Sequence, residues 1–247
     1  MKNQTHDSDA LKETGFLDTS IEFLIQNDPV WVQKLTNLVQ NDQKNQPLDP
    51  RLVTLIRLCI DVTATHLYAE GVKQHVQAAL KLGVTQAEIV EVFKLASIVG
   101  IHSCALGIPI LVKELSLTRM PESQAKKTST PICDEMRKNG SFNPAWETLY
   151  LWDPVYLENF LNMATDVWRR GILPPLWIEL LCIAGDANIT HLWKPGIQRH
   201  IKAALALGAT KAQILEVFKI VSLQGLETFE VGVSLLQEVL KEYPAAL

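Results

Sequence analysis

Residues 65–94 read THLYAEGVKQHVQAALKLGVTQAEIVEVFK, and residues 190–219 read THLWKPGIQRHIKAALALGATKAQILEVFK. The second stretch follows the first by 125 residues and aligns with it without a gap. Over the wider ranges 51–115 and 176–240, 24 of 65 positions are identical. Identity at one fixed offset over this length indicates two copies of a single structural unit.

Both copies carry the pattern of α-helices. Apolar residues recur every three or four positions across 72–82, which predicts a helix with one apolar face. Thr85-x-x-Glu88 and its counterpart Thr210-x-x-Gln213 predict capping boxes, and a glycine before each is suited to ending the preceding helix. Sustained apolar–polar alternation bounded by hairpin turns does not occur, so we predict an all-α protein.

The sequence between the copies predicts a linker. Residues 117–134, LTRMPESQAKKTSTPICD, are polar and contain two prolines, a composition typical of connecting segments. We therefore expect two similar helical repeats, residues 1–116 and residues 135–247, joined by this linker.

Composition excludes several classes of protein. Apolar residues make up 47% of the chain, enough for a core, and 23 Lys and Arg against 27 Asp and Glu argue against a nucleic-acid partner. The four cysteines form no C-x-x-C pair, which argues against a thioredoxin-like motif or a cysteine-rich zinc site and suits a reducing compartment. The polar N-terminus shows no secretory signal, so we expect a cytoplasmic protein.

One segment has the composition of a membrane span. Residues 95–112 contain no Asp, Glu, Lys or Arg. The corresponding residues 220–237 contain Glu227 and Glu230, which are unfavourable inside a membrane. We therefore expect no membrane span, but a helix buried in the core or at a subunit interface of a homo-oligomer.

Four histidines occur as matched pairs, His66 with His191 and His75 with His200. His75 lies one helical turn from apolar residues on either side, so its ring points into an apolar face and needs a polar partner there. A core histidine bonded to a backbone carbonyl would explain one such residue. The presence of both histidines in two otherwise diverged copies favours a functional role.

The two copies differ in their remaining polar groups. The first copy offers His66, His75, His102, Cys104 and Glu70. The second copy offers His191, His200, Glu179, Glu227 and Glu230. The pattern leaves open whether residues of one copy meet those of the other.

The first copy contains two consecutive motifs, H-L-Y-x-x-G-x-x-x-H and A-A-L-x-x-G-x-T-x-x-E-I-x-E-V. Together they resemble the carboxymuconolactone decarboxylase family, within the alkylhydroperoxidase D-like superfamily. The likeness covers roughly residues 50–115 and 175–240. It implies an all-α fold built from tandem units and assembly into trimers or hexamers. For a chain with two repeats, we expect a homotrimer.

Redox members of the superfamily resemble one another in a C-x-x-C pair before the family histidine. The two cysteine positions hold Tyr68 and Gly71 in the first copy, and Trp193 and Gly196 in the second. Both copies therefore lack the dithiol that thiol–disulfide exchange needs, which disfavours a peroxidase or disulfide reductase.

The resemblance implies acid–base chemistry without a cofactor, either decarboxylation or a related proton transfer, on a small carboxylated or lactone substrate. A histidine that titrates near neutrality suits the proton donor. We expect His75 to be the acid/base and His66 to orient it or bind a substrate carboxylate. His200 and Glu179, which matches the family's helix glutamate, would form a weaker second site. The other side chains expected at the substrate site are His102, Cys104, Tyr68, Glu70, His191, Trp193 and Glu227.

Two other classes of function remain open. A metal-binding enzyme could take three ligands from one copy, either His66, His75 and His102 or His191, His200 and Glu227. None of these histidines has the i,i+4 spacing of a helical metal-binding pair. A non-catalytic binding or scaffold protein would instead retain the matched histidines as core residues.

Overall fold

A computed structural model describes residues 11–12, 15–43, 47–116 and 128–243. Within these ranges the regular elements are α-helices and short 3-10 turns, and no described residue lies in a β-strand, so the all-α prediction is confirmed. Residues 117–127 of the predicted linker lie outside the described residues. The rest of that segment is partly helical, because a helix begins at Pro131.

The helices of the first repeat are α1 (Ile21–Asn27), α2 (Pro29–Gln43), α3 (Pro50–Val62), α4 (Ala69–Lys81), α5 (Gln86–Ser97) and α6 (Ile101–Glu114). Those of the second are α7 (Pro131–Lys138), α8 (Glu147–Trp152), α9 (Pro154–Ala164), α10 (Asp166–Arg170), α11 (Pro175–Ala187), α12 (Lys194–Ala206), α13 (Lys211–Ser222) and α14 (Glu227–Leu240). Helices α11 to α14 thus begin 125 or 126 residues after α3 to α6.

The local signals in the sequence set the ends of these helices. Helices α3 and α11 begin at Pro50 and Pro175. Proline is suited to this position, because the N–H of the first helical residue makes no hydrogen bond within the helix. Both predicted capping boxes form, with both of their hydrogen bonds present. Gly83 and Gly208 follow α4 and α12 with φ of +78° and +89°, the left-handed conformation that glycine adopts most easily.

The two repeats share one core and are not separate domains. Apolar residues of α3 and α11 belong to a single buried cluster. Within it Cys59 Sγ lies 3.7 Å from the carbonyl oxygen of Leu181, and Asn188 Nδ2 donates to the carbonyl oxygen of Ile60 at 3.0 Å. The first repeat therefore buries α3, and the second buries α11, against the other repeat.

The repeats also exchange their last helices. Ile101 of α6 lies in a second small core with Trp146 and other residues of the second repeat. In the reciprocal contact, Phe229 of α14 packs on Trp31 of the first repeat, with ring centroids 4.8 Å apart. As a result, side chains of the two repeats meet in two places, one beside α6 and one beside α14.

The uncharged segment 95–112 is not buried in the core of the chain, contrary to one of our two expectations. The chain passes through a 3-10 turn at Ile98–Gly100, and α6 buries only Ile101 and Ala105. The stretch Gln86–Glu114 is long and apolar enough to cross a membrane by length and composition, and 22% of its most apolar window is buried. Its large exposed apolar side chains include Leu106, Ile110 and Leu111.

Candidate functional site

Two clusters of ionisable side chains lie in equivalent positions of the repeats. One cluster contains Asp61, His66 and Glu227, and the other contains Asp186, His191 and His102. The members correspond one to one under the 125-residue shift. His75 adjoins the first cluster and His200 the second. We call the first cluster with His75 the closed site, and the second with His200 and Glu179 the open site, because the open site lines a large cavity and the closed site does not.

Each site combines residues of both repeats. His66 Nε2 lies 2.5 Å from Glu227 Oε2 in the closed site, and His102 Nδ1 lies 2.8 Å from His191 Nε2 in the open site. Neither metal-ligand set predicted from the sequence is assembled, because both sets took all their ligands from one copy. The exchange of α6 and α14 places residue 102 in the second repeat's site and residue 227 in the first repeat's site.

Asp61 and Asp186 are the site residues that sequence reasoning missed. They occupy matched positions in α3 and α11, and both are buried. A Cβ built on Gly71 would overlap Asp61 Oδ2, and one built on Gly196 would overlap Asp186 Oδ2. Glycine in the second cysteine position of the superfamily motif thus lets a carboxylate reach the first turn of α4 or α12.

His75 is sealed inside the closed site. Its Nδ1 lies 2.6 Å from Asp61 Oδ2, so it has the polar partner that its apolar surroundings require. Phe16 packs edge-on against the imidazole at a centroid distance of 6.0 Å, and a Cβ on Gly15 would lie 2.7 Å from Nε2. Burial, followed by the nearby charge of Arg57, lowers the pKa of His75 to about 4.

The closed site also holds two carboxyl groups that resist ionisation. Burial, reinforced by neighbouring Asp61, raises the pKa of Glu227 to about 8. Burial raises the pKa of Asp61 to about 7. Because the two groups and the His66 ring lie within 4.8 Å of one another, the carboxyl pair titrates as a unit around neutral pH.

His200 in the open site is oriented by a series of hydrogen bonds. Its Nδ1 donates to Glu179 Oε2 at 2.7 Å, and Glu179 Oε1 accepts from Trp168 Nε1 at 2.7 Å. The Nε2 atom lies 2.8 Å from Arg199 Nη2. A guanidinium can only donate, so Nε2 accepts, and His200 is neutral with its proton on Nδ1.

The directions of the pKa shifts of His200 and Glu179 agree with that assignment. Burial lowers the pKa of His200. Burial raises the pKa of Glu179, but hydrogen bonds from His200 and Trp168 outweigh it and hold that pKa below its usual value. The site therefore presents a neutral imidazole backed by a carboxylate, the arrangement that stabilises an imidazolium once Nε2 takes up a proton.

A cavity of about 770 Å³ opens beside His200. Its apolar wall contains the aromatic rings of Phe142, Trp146, Phe160, Trp168 and Trp193. Arg199 and Lys202, nearly one turn apart on α12, supply positive charge at the same wall. The cavity can therefore accept a small organic anion between aromatic rings and basic side chains.

The remaining predicted site residues fall into two groups. His102 and Trp193 line the cavity and stack on each other with ring centroids 4.7 Å apart; His191 reaches this group through its contact with His102. Three others do not line the cavity. Cys104 packs against the second small core, Tyr68 lies beside the His66 ring, and Glu70 is exposed.

Comparison with known proteins agrees with this architecture. Residues 29–101 match the model of the carboxymuconolactone decarboxylase family. A crystal structure at 1.70 Å resolution of a "putative gamma-carboxymuconolactone decarboxylase subunit" from Burkholderia xenovorans LB400 is similar to the chain, with a TM-score of 0.86. The two sequences are 33% identical over 97% of this chain and 98% of that chain. No protein of curated function matches. The chain belongs to the carboxymuconolactone decarboxylase family.

Proposed function

We propose that the open site carries out acid–base chemistry on a small carboxylated or lactone substrate, and that decarboxylation is the reaction it suits best. The observation that carries this proposal is the series Trp168–Glu179–His200 at the wall of the cavity. Membership of the family supports the same reaction class. The proposal reverses our ranking from the sequence, since His75 is buried away from the cavity and His200 adjoins it.

Substrate binding follows from the charges at the cavity wall. Arg199 and Lys202 can pair with a substrate carboxylate, and a guanidinium does so through two parallel hydrogen bonds. The aromatic rings around them exclude water, which strengthens these charge-assisted contacts with the substrate. The same rings suit a planar, unsaturated substrate.

His200 supplies the proton. When a substrate carboxylate engages Arg199, the imidazole Nε2 loses its donor and takes up one proton from solvent, and the Glu179 carboxylate stabilises the resulting imidazolium. The bond between carbon and CO₂ then breaks, and its electron pair delocalises into the neighbouring unsaturated carbonyl or lactone. The Nε2–H group protonates the carbanion, so one proton is consumed for each CO₂ released.

A pair of matched variants tests this proposal. His200→Gln should lower the rate of CO₂ release from a panel of carboxylated lactones by about 10²–10⁴-fold, since that is the usual contribution of a positioned acid. His75→Gln should reduce thermal stability but leave the rate per folded chain unchanged. A His200→Gln protein with the wild-type rate would refute the proposal, and so would a rate lost only in His75→Gln.

Substrate binding separates this function from a scaffold role. Trp168 and Trp193 line the cavity, so a bound lactone carboxylate should change their fluorescence. Binding without turnover in the wild-type chain would favour a non-catalytic binding protein. Turnover that depends on His200 would exclude it.

We further propose that the chain forms a homo-oligomer through the outer faces of α6 and α14. Both helices expose large apolar side chains, among them Leu106, Ile110, Leu111, Val231, Leu235, Leu236 and Val239. Apolar surface of this extent is typical of a protein–protein interface. A trimer is the assembly that the family resemblance implies.

A further inference from the structure

We propose that His102, Asp186 and His191 bind a divalent transition-metal ion at the wall of the cavity. The inference concerns the open site but does not depend on the reaction proposed there, because it is tested by metal binding alone. Two imidazoles and one carboxylate are a ligand set typical of zinc and non-haem iron sites.

The three ligand atoms face one another. His102 Nδ1 lies 2.8 Å from His191 Nε2 and 3.8 Å from Asp186 Oδ1. His191 Nε2 lies 3.9 Å from the same carboxylate oxygen. Ligands about 2.0–2.1 Å from a tetrahedral zinc are about 3.3 Å from each other. The observed separations bracket that value, so side-chain shifts of about half an ångström would accommodate the ion.

Asp186 lacks the partner that a buried carboxylate needs. It is 3% exposed, and its Oδ2 has no hydrogen-bond partner among the described residues. The nearest His200 nitrogen is 3.8 Å from that oxygen, beyond hydrogen-bonding distance. Asp61, at the matched position, has His75 Nδ1 at 2.6 Å. A buried carboxylate without such a donor is stabilised by a cation.

The residues around this cluster suit a metal ion that keeps one coordination position open. The Trp193 ring, stacked on His102 at 4.7 Å, holds that imidazole in place. His102 and Asp186 both line the cavity, so a fourth ligand can reach the ion from there. Arg199 is the opposing charge: its guanidinium donates to His200 Nε2, and its charge also acts on Asp186 and His102. The repulsion between Arg199 and a bound metal ion predicts that the site binds the metal with moderate affinity.

In the closed site, the corresponding side chains pair with one another. Glu227 replaces His102 there, and His66 Nε2 contacts Glu227 at 2.5 Å. Asp61 is paired with His75. Each of these carboxylates therefore has an imidazole within hydrogen-bonding distance, whereas Asp186 has only imidazoles that are too distant.

Cobalt binding to the full-length, untagged chain tests the proposal. After removal of metals by a chelator, we expect one Co²⁺ to bind per chain with the visible absorption of a four-coordinate ion, and Zn²⁺ to displace it. His102→Gln, His191→Gln and Asp186→Asn should each weaken Co²⁺ binding by more than about 100-fold, since loss of a ligand exceeds the loss of an outer-shell partner.

His66→Gln is the matched control, because His66 occupies the position of His191 in the closed site. It should bind Co²⁺ like the wild-type chain. Absence of Co²⁺ binding to the folded wild type at millimolar concentration would refute the proposal. It would also be refuted if His102→Gln and His191→Gln, shown to be folded by circular dichroism, bound Co²⁺ as tightly as the wild type. Binding lost only in His66→Gln would assign the ion to the closed site instead.

Discussion

The closed site and the open site have the same scaffold and differ in what covers the histidine. In the closed site, the segment 15–20 covers His75 through Gly15 and Phe16, and Glu230 accepts hydrogen bonds from three consecutive residues of this segment. In the open site, residues 140–144, which correspond to 15–19, form part of the cavity wall. The position of Glu230 is occupied in the first repeat by Ala105, which packs in an apolar cluster and offers no acceptor.

This difference shows how a duplicated unit can place matched histidines in two different surroundings. Gly15 and Gly140 share a φ of +76°, so the covering segments start from the same backbone conformation. A carboxylate anchors one segment against its histidine, and an alanine leaves the other free to line a cavity. A single anchoring side chain therefore accompanies the difference between the covered His75 and His200, which lines the cavity.

The largest effect is expected from Glu179→Gln. Only the open site has a carboxylate at this position, since the first repeat has Thr54, and loss of its charge would leave the His200 imidazolium without its stabilising partner. We expect kcat to fall by about 10²-fold or more, with a smaller change in KM. Thr54→Val, the matched control, should leave kcat unchanged. Equal kcat for Glu179→Gln and the wild type would contradict the distinction between the sites.

The second prediction concerns surfaces on which the repeats are alike. Ile110 of α6 and Leu235 of α14 occupy matched positions and are 54% and 56% exposed. Lysine at both positions should dissociate the oligomer, because it places charge in an apolar interface. Light scattering should report the mass of a single chain for the double variant. A monomeric wild-type chain would contradict the proposed assembly.

A smaller effect is expected from Glu230→Ala, which releases the segment over His75. A hydrogen bond to a charged acceptor contributes about 1.5–3 kcal/mol. Three of the five bonds to Glu230 are exposed, so their donors can bond water in the variant, and we expect the free energy of unfolding to fall by about 2 kcal/mol in total. Hydrogen exchange of residues 15–20 should accelerate. Glu238→Ala, on the exposed face of the same helix, should change neither quantity. Unchanged exchange in Glu230→Ala would show that Glu230 does not hold the segment.

The smallest expected effect is a pH dependence of stability. The pKa values of about 8 for Glu227 and about 7 for Asp61 exceed those of an unfolded chain, so the folded state holds protons that the unfolded state releases. The contribution of these two groups to the free energy of unfolding is therefore largest below about pH 4. This contribution is lost as pH rises through 7 to 8. The facing charge of Arg57 reduces this loss but does not reverse it.

Glu227→Gln tests this linkage. The amide cannot ionise, so Tm should fall less between about pH 5 and pH 8 in the variant than in the wild type, by a few degrees. Glu238→Gln, an exposed substitution on the same helix, should follow the wild-type curve. Parallel curves for Glu227→Gln and the wild type would show that Glu227 is ionised throughout.

The fold was predictable from sequence because its signals are local. Two prolines, two capping boxes and two glycines define where helices begin and end, and their recurrence after 125 residues identifies the repeat. Asp61 and Asp186 could also have been recognised, since an aspartate that persists at matched positions of two apolar helices needs a reason to be there.

The composition of each site could not be predicted from sequence, because it depends on tertiary packing. Helical periodicity indicates the face on which His75 lies, but not whether that face meets a cavity or a covering segment. In the same way, the sequence does not reveal that His102 meets His191 and not His66. That pairing depends on which repeat each last helix packs against.

The exchange of α6 and α14 has a consequence for the evolution of the chain. A substitution at residue 102 changes the chemistry of the second repeat, and one at residue 227 changes that of the first. The halves therefore cannot specialise one at a time, as two independent genes could. Each altered site records changes in both halves. A single repeat expressed alone would lack one residue of its own site, Glu227 for the first repeat and His102 for the second.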